Sequence, residues 1–183
     1  KLEIIVVSDG SEDQTDSIVD SFKGKGVKLI RQEPRRGKTS ALNLAIKHAF
    51  GEIIVFSDAN SIYDPDAIRY LVENFNDPSV GYVTGKMIYM NHDGSAVGDG
   101  CSSYMKYENL LRTYETKVGS IVGVDGGIDA VRKSLYKPMR DDQLPDFVLP
   151  LMVVEQGYRA IYEPRAILKE HTLSSPTDEY WMR

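Results

Sequence analysis

Leu2 to Val7 is a short apolar run closed by Ser8-Asp9-Gly10-Ser11, which reads as a buried strand followed by a turn. Asp13 to Lys23 switches to helical spacing, with Ile18, Val19 and Phe22 on one side. Asp13, Thr15 and Asp16 suit its first turn, where carboxylates meet the positive helix end. Val27 to Arg31 predicts a second strand, Thr39 to Phe50 a second helix with a stripe of Leu42, Ala45, Ile46 and Ala49, and Glu52 to Ser57 a third strand. Asp64-Pro65 opens a third helix over 66–75, and Val80 to Tyr89 returns as strand. The second half is less regular. Ser102 to Lys117 reads as helix, Ile121 to Val131 as small residues and short strands, Pro145 to Gln156 as a helix ending at Gly157, and Tyr158 to Tyr162 as a strand.

Alternating strands and helices, with strands apolar throughout, predict an α/β fold with a mostly parallel central sheet and helices on both faces. No linker and no internal repeat divides the chain, so residues 1–183 are expected to form one domain.

Composition narrows the function classes. The chain has 183 residues, 42% hydrophobic and 27% charged, as an ordinary globular domain does. A net charge of -5 argues against nucleic acid held through phosphate contacts, while leaving room for a nucleotide in one local pocket. One cysteine, Cys101, allows no internal disulfide and fits a reducing compartment. No apolar run approaches the roughly 20 residues needed to span a bilayer. The chain starts at Lys1 and runs straight into a strand, so it is expected to be a fragment, and membrane association through segments outside it stays open.

In an open α/β sheet, ligands bind beyond the carboxyl ends of the strands. Asp9 and Asp58 fall there, at one edge of the expected sheet. The cluster Ser57-Asp58-Ala59-Asn60-Ser61 is polar directly after a buried strand. It can be a helix-capping turn, or Asp58 and Asn60 can face a divalent metal that binds a diphosphate. Arg35-Arg36-Gly37-Lys38 can be a solvated basic turn, or can bring cations and a helix N-terminus to phosphate.

Four blocks of the chain resemble family 2 glycosyltransferases, in the family's order and across nearly the whole length. Ile5-Val6-Val7-Ser8-Asp9-Gly10-Ser11-Glu12-Asp13-Gln14-Thr15 resembles the opening nucleotide-binding signature, and Gly37-Lys38-Thr39-Ser40-Ala41-Leu42-Asn43 the next block. Phe56-Ser57-Asp58-Ala59-Asn60 stands at the family's Asp-x-Asp metal motif. Pro145-Asp146-Phe147-Val148-Leu149-Pro150-Leu151, followed by Gln156-Gly157-Tyr158, resembles the segment supplying the catalytic base. Ser8, Asn60 and Pro145 replace acidic residues common in relatives, and the family's first strand, with its Pro-x-Tyr-Asn-Glu-like turn, has no counterpart here.

The resemblance implies the GT-A fold, a nucleotide-diphospho-sugar donor, a divalent metal (Mn2+ or Mg2+) and inversion at the anomeric carbon. It implies that Asp9 contacts the nucleotide base, Lys38 lies near the nucleotide, Asp58 holds ribose or the metal-diphosphate with Asn60 beside the metal, and Asp146 is the general base. Residues 1–90 would bind donor, and residues 91–183 would carry the acceptor side and the base. A C-terminal extension is expected beyond the chain, since Trp181 and Arg183 lie where polymer-forming relatives carry an aromatic-basic segment.

The chemistry asks for the same division. Glycosyl transfer passes through an oxocarbenium-like state; a leaving nucleoside diphosphate needs neutralising charge, and the acceptor hydroxyl needs one base. Asp141 and Asp142 rival Asp146 as that base. Asp125 and Gly126 are assigned to the acceptor side, with a plain tight turn as the alternative. His171 is either a metal ligand or structural. Tyr104, Tyr107 and Tyr114 are expected to pack rather than to stack on sugar. The acceptor is expected to be a sugar or a lipid-linked glycan, in cell-surface polysaccharide synthesis at the cytoplasm or the cytoplasmic membrane face. Two other readings stand beside this one: a sugar-phosphate nucleotidyltransferase, disfavoured by the acidic loop after the first strand, and a non-catalytic binding domain of the same fold.

Overall fold

The computed structural model describes residues 2–90 and 99–171, and for 99–103 the backbone alone. Trp181 and Arg183 lie outside it, as does the side chain of Cys101. The first apolar run forms β1 (Ile4–Asp9), which pairs in parallel with β2 (Val27–Gln32). Between them runs α1 (Thr15–Ser21), opened by Asp13, whose Oδ1 accepts from the Thr15 N–H at 3.0 Å and the Thr15 hydroxyl at 2.5 Å. After β2 comes α2 (Lys38–His48).

The remaining strands build a five-stranded sheet: β3 (Ile53–Ser57), β4 (Ile62–Tyr63), β5 (Val80–Met90), β6 (Ile128–Arg132) and β7 (Arg159–His171), in the order β3-β6-β5-β7-β4. Connecting them are α3 (Ala67–Glu73), α4 (Asp99–Val118) and α5 (Pro145–Glu155). Of its four ladders only β5–β7 is parallel; β3–β6, β5–β6 and β4–β7 are antiparallel. The α/β class therefore holds, while the five-stranded sheet is mixed rather than mostly parallel. The physical reason is that an apolar run reports coverage on both faces and says nothing of direction. A covered strand inserted against its neighbours, as β6 is, has the same pattern as a parallel one.

Each face of this sheet carries a core. Val83, Ala130, Ile161 and Leu168 pack with Ala67 and Leu71 of α3 on one side. On the other, Tyr82, Val131 and Tyr162 pack with Leu149 and Val153 of α5. Gly81 permits this second contact, because a Cβ there would lie 2.6 Å from Val153 Cγ1. α5 is thus pressed onto the sheet with Pro145 at its first turn, where a missing N–H costs nothing. Tyr104, Tyr107 and Tyr114 lie exposed along α4. Among the described residues, no helix is long and apolar enough to cross a membrane.

Candidate functional site

The turn after β1 is held by its own carboxylate. Asp9 Oδ1 accepts from the Arg36 N–H at 2.9 Å and the Gln32 amide at 2.5 Å, and Oδ2 accepts from the Gly37 N–H at 2.7 Å. Burial works to raise the Asp9 carboxyl, but these bonds from Arg36, Gln32 and Gly37 outweigh it and hold the group below its ordinary value. Asp9 therefore fixes the segment that delivers Lys38. In front of it opens a depression of about 880 Å3, lined by Asp9 to Asp13, Arg31 and Glu33 to Arg35.

Lys38, the first residue of α2, reaches across to two carboxylates. Its Nζ lies 2.9 Å from Asp58 Oδ1, at the end of β3, and 3.5 Å from Asp146 Oδ2, in the first turn of α5. Burial disfavours the ammonium, yet the bond to Asp58 and the charge of Asp146 keep Lys38 above its ordinary value, so it stays cationic at neutral pH. Three residues singled out in separate sequence blocks thus meet at one cation.

The loop leading to α5 is stitched to α2. Thr39 Oγ1 donates to the Gln143 carbonyl at 2.7 Å. The Asn43 amide donates to the Met139 carbonyl at 2.7 Å and accepts from the Met139 N–H at 3.0 Å and the Tyr136 hydroxyl at 2.9 Å. The rival bases are tied elsewhere: Asp141 pairs with Arg36 at 2.7 Å, and Asp142 with Arg140 at 3.0 Å.

Gly126 and Gly127 follow with φ of 79° and 73°, a region that favours glycine. A Cβ on Gly126 would lie 2.8 Å from Asp146 Cγ, so this turn backs directly onto the Asp146 carboxylate. The Tyr63 hydroxyl sits between the Phe56 carbonyl at 2.6 Å and the Gly127 carbonyl at 2.8 Å, clamping the turn to the end of β3. Asp125 gives both oxygens to Arg112 of α4, at 2.5 and 2.7 Å, so it anchors the turn's approach.

Asn60 is exposed, two residues beyond the half-buried Asp58. Among the described residues, no three His, Cys, Asp or Glu side chains converge as a metal cage. Asp58 and Asn60 supply two ligating side chains, which fits an ion that takes its other ligands from phosphate and water. His171 ends β7, exposed and opposite Met90.

The structure also brings in residues that sequence reasoning passed over. Glu170 accepts from the Ser61 hydroxyl at 3.1 Å and approaches Gly127, placing a further carboxylate beside the Asp58-Asn60 turn. Asp129 of β6 is 2% exposed beneath Lys38 and Asp146. Its only sequence signal is a charge inside an apolar strand, Ile128-Asp129-Ala130-Val131.

A family model described as Glycosyl transferase family 2 matches residues 1–137. The poly-beta-1,6-N-acetyl-D-glucosamine synthase of Staphylococcus aureus (strain COL) is 30% identical over 173 residues, covering 91% of this chain and 42% of that protein. The chain thus spans less than half the length of that relative. Among solved structures, the mannosyltransferase PcManGT from Pyrobaculum calidifontis, in complex with GDP-Man and Mn2+, superposes with a TM-score of 0.79 at 27% identity, over 97% of this chain and 50% of that one. S. aureus TarS 1-349 superposes with a TM-score of 0.68 at 19% identity, over 98% of this chain and 53% of that one, a likeness of fold alone. The central sheet and its helices match these GT-A glycosyltransferases.

Proposed function

The chain belongs to glycosyl transferase family 2, and from that premise we propose that Lys38, Asp58 and Asp146 form the centre of an inverting sugar transfer from a nucleotide-diphospho-sugar to an acceptor hydroxyl. The observation that carries this reading is the bridge from Lys38 to both carboxylates. Asp58 is in this reading the diphosphate-side group and Asp146 the base, and the bridge brings the two carboxylates to one cation. In this reading residues 1–90 bind the donor and residues 91–183 supply the acceptor side and the base.

The donor lies across the carboxyl ends of β1 and β3, with its base near Asp9 and its diphosphate toward Lys38 and Arg36. Asp58, with Asn60, would hold Mn2+ or Mg2+. When bound, that ion neutralises charge on the departing diphosphate. PcManGT, whose structure contains GDP-Man and Mn2+, supports both donor and metal class. The acceptor hydroxyl attacks the anomeric carbon from the face opposite the diphosphate. Its oxygen bonds to that carbon, the bond to the diphosphate oxygen breaks, and the electron pair leaves with the nucleoside diphosphate. Asp146 takes the hydroxyl proton. No general acid is needed, since Lys38 and its neighbours stabilise the leaving group.

Asp125 and Gly126 shape the acceptor side by holding the turn against Asp146. The synthase likeness supports a glycan acceptor and a role in cell-surface polysaccharide synthesis; the cytoplasm or the cytoplasmic membrane face is the proposed place of that work.

The test is release of nucleoside diphosphate from a panel of UDP-, GDP- and dTDP-sugars with Mn2+. Asp146→Asn is expected to lower turnover by about 100- to 10,000-fold while donor binding persists. Turnover at the wild-type rate in Asp146→Asn removes Asp146 from the mechanism.

A further inference from the structure

Asp129 is the second residue of the five-residue β6, flanked along the strand by the fully buried Ile128, Ala130 and Val131. It pairs with Phe56 on β3 and Thr84 on β5, so its side chain shares the face on which α5 lies. Directly above it is a small cavity of about 20 Å3, lined among others by Lys38, Asp58, Tyr82, Asp129 and Asp146. That volume holds about one water molecule, and a water in such a place needs two to four polar partners. The walls provide them: Lys38 Nζ, the Asp146 carboxylate and Asp129 itself. Asp129 Oδ1 is buried and has no hydrogen-bond partner among the described residues. An orphaned carboxylate oxygen is costly, and a bridging water removes that cost.

We propose that Asp129 is a positioning residue for Asp146: one water in this cavity joins Asp129 Oδ1 to the Asp146 carboxylate and aims it at the acceptor. The inference rests on Asp146 being the base of the transfer.

The charge arrangement agrees. Three carboxylates, of Asp58, Asp129 and Asp146, face a single cation, Lys38. Like charges so close do not all ionise, and the most buried member is the one to keep a proton. Burial, and after it the charge of Asp146, pushes Asp129 up to about 7, against the Thr84 hydroxyl, the Tyr82 phenol and Lys38, which favour its ionised form. A neutral Asp129 donates through the water to the Asp146 carboxylate. As Asp146 gains the acceptor's proton its charge vanishes, which eases ionisation of Asp129 beneath it. The groups facing Asp129 are Thr84 and Tyr82 of β5, Lys38 of α2, Asp146 of α5 and, further off, Tyr63 of β4.

The experiment follows the side-chain carboxyl 13C signals of aspartate-labelled protein against pH, with the Asp129 signal identified by its loss in Asp129→Asn. The expected midpoint lies near neutrality and falls by on the order of one pH unit in Asp146→Asn, where the neighbouring charge is gone. Asp129→Leu should lower kcat on the order of a hundredfold with donor affinity retained, as displacement of a reacting group does. Asp129→Asn, which keeps a neutral hydrogen-bonding group, should recover part of that loss. A midpoint indifferent to Asp146→Asn, or wild-type kcat in Asp129→Leu, overturns the proposal. Failure of the underlying reading looks different: Asp146→Asn would then turn over normally whatever the Asp129 signal does.

Discussion

The layer of β1 and β2 and the five-stranded sheet are built from similar apolar strands, yet they bury different things. From residue 2 to 48 every buried side chain is polar: Ser8, Gln32, Thr39 and Ser40. In the five-stranded sheet Val83, Ile128, Ala130, Val131 and Leu168 are fully enclosed. The first layer stays half open, with Ile4 and Ile18 exposed, and is ordered by hydrogen bonds converging on Asp9. The second is ordered by packing on both faces. Donor recognition is thus proposed on the part held by polar contacts, and the base on the part held by a dense core. That division suits a site where one side adapts to a nucleotide while the other keeps a carboxylate fixed to a fraction of an ångström.

The largest effect separating the two layers should come from cavities. Leu149→Ala, on the sheet-facing side of α5, is expected to cost about 2–5 kcal/mol in chemical denaturation, since a close-packed core cannot collapse around the gap. Val6→Ala in half-buried β1 should cost about 1 kcal/mol, because only part of the removed surface leaves water. Equal losses would end the distinction between the layers.

Next in size is a difference in pH response between one carboxylate of each layer, Asp129 and Asp9. Asp129 sits at about 7 when folded against an ordinary 3.8, so its contribution is fully present below about pH 4 and lost as pH rises through 7. Asp9 is shifted the other way: its contribution is present above the ordinary carboxylate value and lost as pH falls through its lowered one. Melting curves of wild type and Asp129→Asn should therefore diverge between pH 4 and 7, by at most about 4 kcal/mol, with the wild type falling as pH rises. Parallel curves would show that Asp129 is ionised throughout.

Much of this was readable before any coordinates. The strand ends carrying Asp9 and Asp58, the helix opened by Lys38 and the helix opened at Pro145-Asp146 all occur where periodicity and motif order put them. Their convergence on Lys38 follows the rule that open α/β sheets gather ligands at strand carboxyl ends. What escaped is what one-dimensional pattern does not encode. The direction of β6 escaped because burial has no sign along the chain. The two-residue β4 escaped because it has no period. Asp129 was passed over because one charge in a short strand says nothing of its neighbours, and it is β3 and β5 that set it between Phe56 and Thr84. Asp125 was assigned to the acceptor side or to a plain tight turn, and its pairing with Arg112, thirteen residues back on α4, has no signal in the pattern.

Asp58 and the Lys38 segment are proposed to form a metal-assisted nucleoside-diphosphate site. Its most direct test is calorimetric titration of UDP, GDP and dTDP into the protein, with and without Mn2+. One of the three is expected to bind in a Mn2+-dependent manner, and Asp58→Ala to abolish this dependence. Binding that is equally strong without Mn2+, or unchanged in Asp58→Ala, would contradict it.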